Sequence, residues 1–72
     1  MTVFVASWAD DVVTVALDEV DARAALEEKA AAHLGANRAR LTLDWQPLPA
    51  GGASARVFNR YTASVVPFEV IA

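Results

Sequence analysis

The sequence predicts an α+β fold in one domain spanning residues 1–72. Three observations carry this. Two runs of alternating, β-branched residues precede Asp18, a run of helical period follows it, and alternation returns after residue 37. A chain this short buries only about 60% of its unfolded surface and has room for one core.

In the first run, TVFVASW (residues 2–8), Val3 and Val5 share one parity and Phe4, Ala6 and Trp8 the other. The second, VVTVAL (12–17), sets Val13, Val15 and Leu17 against Thr14. Ala9-Asp10-Asp11 separates them, and without an Asn-Gly or Asp-Gly pair the hairpin connection is expected to be a longer loop. Asp18 then reads as a helix N-cap, with Asp21 in the capping-box position and Glu19 in the first turn. Val20, Leu26, Ala30, Ala31 and Leu34 fall on one stripe at helical spacing, while Asp21, Glu28 and Lys29 face away. Gly35 is the stop, so the helix is expected at about 19–34.

A third strand is read over Arg38–Trp45, with Leu41, Leu43 and Trp45 inward and Arg40, Thr42 and Asp44 outward. Pro47, Pro49 and Gly51-Gly52 mark residues 46–53 as turn and loop, pinned by Leu48. Residues 54–63 read equally as strand or as loop with a helical turn. A last strand follows at about 65–71, where Pro67 restricts it to an edge or a bulge.

Composition excludes several chemistries. There is no Cys, and with one His a zinc site would need three carboxylates, so neither metal nor cofactor is expected. Hydrophobic residues make up 56% of the chain, but 16 of its residues are Ala, which add little apolar area each. No apolar run approaches the length of a membrane span, and MTVFVASWADD lacks the basic start of a signal peptide, so no membrane association and a cytoplasmic location are expected. The abundance of Ala and Arg with a single lysine, Lys29, suggests a bacterial gene. Net charge is −3, which argues against a nucleic-acid partner. Residues 1–36 hold seven acids against two bases (net −5) and residues 37–72 four bases against two acids (net +2), a split that reads as two solvated faces or as the footprint of a polarised partner.

Residues carry a family resemblance as well as a pattern. The opening MTVFVASWADDVVTVAL resembles that of ubiquitin, sharing Met1, Phe4, Val5 and Thr14, with apolar residues kept at Val3, Val13, Val15 and Leu17. Lys29 and Gly35 match in the helix and its cap; Arg40-Leu41, Leu43, Leu48 and Gly51 follow the third strand and turn after a two-residue deletion. The register covers about residues 1–51, and Phe58-Asn59 and Phe68-Glu69-Val70-Ile71 resemble later parts of the family. The resemblance to the ubiquitin-like (β-grasp) family implies a mixed sheet of four or five strands with the helix across one face. It also implies a first strand lying between the third and the last.

The family's conjugation chemistry uses a terminal Gly-Gly, whereas the sequence ends Val70-Ile71-Ala72, so transfer through this C-terminus is not expected. Carrying the family's recruiting surface over, with strand parity, places Phe4, Trp8, Thr42 and Ile71 on an outward protein-binding face rimmed by Arg40 and Glu69. Trp8 reads equally as a ring folded back over the hairpin. His33 is explained by the helix dipole and has no dyad partner at a suggestive spacing, and the acid pairs Asp10-Asp11 and Glu27-Glu28 read as solvated. Arg23 and Glu27 have i, i+4 spacing and read as a surface ion pair. The expectation is a non-enzymatic, ubiquitin-like protein-interaction module, monomeric alone or part of a hetero-complex. A second reading is an accessory small subunit of a multicomponent enzyme: the tail from Val66 to Ile71 and Ala31-Ala32-His33 resemble the small subunits of bacterial diiron monooxygenases. A third is a modifier whose processed tail lies beyond this sequence.

Overall fold

The computed structural model describes residues 1–33 and 42–71. Strands β1 (Thr2–Trp8) and β2 (Asp11–Ala16) form a hairpin, helix α1 (Glu19–His33) follows, and β3 (Gln46–Pro47), β4 (Ala53–Val57) and β5 (Tyr61–Glu69) complete the sheet. The five strands lie in the order β2-β1-β5-β4-β3. The α+β class and the single helix are as expected from the sequence.

The direction of the strands is not. A mixed sheet needs a parallel pair, and all four pairings among the described residues are antiparallel, β1 with β5 included. β1 lies between β2 and β5 rather than between the third strand and the last. The expected third strand is also displaced. Residues 42–45 are not in a strand and the pairing starts at Gln46, a two-residue edge strand that tolerates Pro47 because its outer side has no ladder. Arg38, Arg40 and Leu41 lie outside the described residues, as do Leu34 and Gly35 of the helix end.

Residues 54–63, open in the sequence, form most of the β4–β5 hairpin. β5 is central in the sheet, yet its ladder with β4 begins at Val65, so Pro67 is flanked there by β1 alone and interrupts no second ladder. Gly52 makes the β3–β4 turn possible. Its φ is +79°, and a Cβ on it would run into the carbonyl of Val65. The first hairpin is tighter than expected: Trp8 pairs with Asp11, leaving two connecting residues, and Ala9 takes the left-handed conformation (φ 54°) that Asn or Gly usually supplies.

Asp18 caps the helix, its Oδ1 accepting from the N–H groups of Val20 (3.1 Å) and Asp21 (3.4 Å). Leu26, Ala30 and Ala31 are buried as the helical stripe requires, joined by Ala22, whereas Val20, assigned to that stripe, is 71% exposed. Its N–H is held at the cap in the first turn, and the helix faces the sheet two positions later, at Ala22.

The core explains which sheet face the helix covers. Ala6, Ala53, Ala55 and Ala63 are all buried on this face, Ala6 and Ala63 on strands that α1 contacts. Small residues on both surfaces let backbone approach backbone, and the larger Leu26, Val57 and Val65 fill the remaining space.

Candidate functional site

Phe4, Ala6 and Trp8 share the parity of the alanine-lined face, so the outward assignment of Phe4 and Trp8 is overturned. Trp8 is 5% exposed and Phe4 packs against the core. The Trp8 ring lies 5.2 Å from Tyr61 and 5.8 Å from His33, with the Lys29 ammonium 6.0 Å from its centroid. His33 in turn stacks on Phe58 at 6.1 Å, which holds Phe58 and Asn59 in a turn where both have φ of 54°. Phenylalanine is a costly residue in that conformation. The aromatic group therefore closes the end of the core where the helix finishes.

The other sequence-assigned binding residues are scattered. Thr42 is exposed but outside the sheet, Arg40 lies outside the described residues, and Ile71 is 92% exposed beyond the end of β5. Glu69 joins the chain ends, with Oε1 2.9 Å from the Met1 ammonium and Oε2 accepting from the Thr2 hydroxyl at 2.7 Å. The ammonium, then the hydroxyl, hold its carboxyl below the usual 4.5. The five of these residues that are described, Phe4, Trp8, Thr42, Glu69 and Ile71, do not form one surface.

A different surface does. With the helix on one face, the other carries Val3 and Val5 of β1, Val12 and Val15 of β2, and Val66 and Phe68 of β5. Register aligns them in rows: Val15, Val5 and Val66 lie directly opposite one another across three strands, and Val3 faces Phe68. Met1 and Val70 continue the face below, where the Val70 N–H donates to the Met1 carbonyl (2.7 Å). Toward the upper end it turns polar, with Ser7, Ser64, Ser54 and Gln46 in one row and Thr62 beside Arg56 in the next. Among outward strand positions of the described residues, Arg56 carries the only charge.

A β-bulge puts β2 into this arrangement. Register shifts between Ala6 and Ser7, leaving Val13 without an opposite residue. Val13 packs on the core while Val12 (64%) and Val15 (55%) remain exposed.

Glu27 is a second residue the sequence misreads. Arg23 is paired one turn earlier, its Nη2 2.6 Å from Glu19 Oε2, and its guanidinium lies 5.4 Å from the Trp45 ring centroid. Glu27 Oε2 instead accepts from the Leu43 N–H (3.5 Å) and Trp45 Nε1 (3.3 Å), tying residues 43–45 to the helix. Nothing in i, i+4 spacing distinguishes these partners.

Among the described residues no three His, Asp or Glu side chains gather as a metal site, no pocket is present, and no helix is long and apolar enough to cross a membrane. Comparisons with protein-family models, with curated proteins and with solved structures found no match to this chain.

Proposed function

We propose that the protein is a non-enzymatic protein-interaction module, a two-layer domain of the size ubiquitin-like modules use, that docks through the open face of its sheet. One observation carries the proposal: an apolar field, ordered in rows by strand register, lies on the face opposite the helix. Five of its residues, Met1, Val12, Val15, Phe68 and Val70, are between 45% and 72% exposed. Together with the half-buried Val3, Val5 and Val66 they form one continuous apolar surface across three strands, rather than the singly scattered exposed residues that need no explanation. Exposed apolar surface of this extent has a standing free-energy cost in water, which association removes.

The reading as a small subunit of a larger enzyme draws on the same face, since a subunit built into an assembly presents such a surface when isolated. Site-specific photo-crosslinking in the producing cells tests both. A benzophenone amino acid at Phe68 is expected to give adducts that the same group at Glu28, on the solvent side of the helix, does not. Equal labelling from the two positions would move the interface off the sheet.

A further inference from the structure

The open face has the dimensions and symmetry of a self-complementary interface. We propose that its occupant is a second copy of this chain, packed sheet on sheet about a two-fold axis that runs along β1 above Val5; this rests on the open face being the docking surface.

Area is the first argument. A standard interface takes about 800 Å² from each partner, and an apolar field spanning three strands, with five residues 45–72% exposed, is of that order. Shape is the second. The field is dominated by valines, whose short branched side chains form a flat pleated surface and cannot reach into a groove. Its matching partner is another flat sheet, and aligned sheets pack about 10 Å apart within about 30° of parallel.

Symmetry is the third. Val5 lies one strand from Val15 on one side and one strand from Val66 on the other. Rotation about an axis along β1 lays Val15 over the partner's Val66 and returns the same contact reciprocally, as an isologous interface requires. It stacks apolar rows on apolar rows and the Ser7–Ser64 row on its own copy. An axis across the strands would instead bury the valines against serines. The chosen rotation also brings Arg56, near the Thr62 end of β4, toward the partner's β1–β2 turn, where Asp10 lies at the rim.

The absence of Cys from the sequence makes the geometry directly testable. Within one chain Val15 and Val66 are two strands apart, roughly 10 Å, with side chains pointing the same way, beyond the reach of a disulfide. Facing side chains of packed sheets point at each other and can be bridged, as in the inter-sheet disulfide of immunoglobulin domains. In the dimer they face each other. The double variant Val15→Cys/Val66→Cys, held in a glutathione redox buffer, is expected to form a covalent dimer of twice 7.7 kDa, while a single Glu28→Cys on the helix does not. Sedimentation equilibrium of the unmodified chain should show mass rising with concentration toward the same value. Phe68→Glu should raise the dissociation constant about tenfold or more with an unchanged circular dichroism spectrum. Should Phe68→Glu fail to fold, Val15→Lys on the edge strand serves instead.

A chain that stays at 7.7 kDa up to millimolar concentration, with cysteine variants crosslinking no faster than the helix control, overturns the dimer. The module reading is judged separately. Adducts of Phe68 to other proteins in cells would leave it standing without the dimer, and the absence of any adduct would remove both.

Discussion

Trp8→Ala separates the two faces of the sheet more sharply than any other single change. The ring is 5% exposed and sits among Tyr61, His33 and Lys29. Truncation removes the largest side chain of the core and leaves a cavity where helix end, β1 and β5 meet, a change that costs about 3–5 kcal/mol. A domain of this length is stable by about 4–11 kcal/mol, so the variant should lose about a quarter or more of its stability. With a urea dependence near 1 kcal/mol per molar, the midpoint should fall by about 3 M, or the variant should be unfolded without denaturant. Far-UV circular dichroism is the right readout because the substitution removes one of only two tryptophans. Glu28→Ala, on the solvent side of the helix, is the control and should shift stability by no more than about 0.5 kcal/mol. A loss below about 1 kcal/mol for Trp8→Ala would refute the assignment of faces, since that is what an outward ring would give.

Leu26→Ala, at a fully buried helix position, should cost about 2–5 kcal/mol in the same denaturation experiment. Gly52→Ala should be among the most damaging substitutions outside the core because its methyl group meets the Val65 carbonyl; thermal unfolding will show whether the turn can open. Glu27→Ala leaves the Leu43 N–H and Trp45 Nε1 without this acceptor, so a loss of about 1–3 kcal/mol and a red-shifted Trp45 emission in a Trp8→Phe background are expected. Glu69 should titrate below 4.5 by carbon-detected NMR. Because its folded pKa is depressed, its contribution is present above the unfolded value and lost as pH falls through the folded one, a dependence that Glu69→Gln should abolish.

Much of the architecture was legible because it is local. The capping aspartate, the change of period at residue 18 and the buried positions 26, 30 and 31 are set by neighbours a few residues away. Strand direction is not local: the same alternating runs fit parallel or antiparallel neighbours, and only the chain's return path through residues 46–61 decides. The inverted face had a readable signal. β1 is apolar on both sides, so parity alone cannot say which side meets the helix, but alanines at 6, 53, 55 and 63 mark the face that an alanine-rich helix can approach. The largest aromatic, Trp8, suggested an interface anchor when it was filling the end of the core. The alternation sets Val13 and Val15 on one side because the bulge at Val13, which reverses parity along β2, leaves no mark in it.

The open face is tested most directly by amide NMR spectra recorded as the protein is concentrated. Association through the sheet should shift and broaden the amides of Val3, Val5, Val15, Val66 and Phe68 together, with those of Asp21 and Glu28 on the solvent side of the helix unchanged. Changes centred on Asp21 and Glu28, with the valine rows silent, would contradict it and move recognition to the acidic helix face.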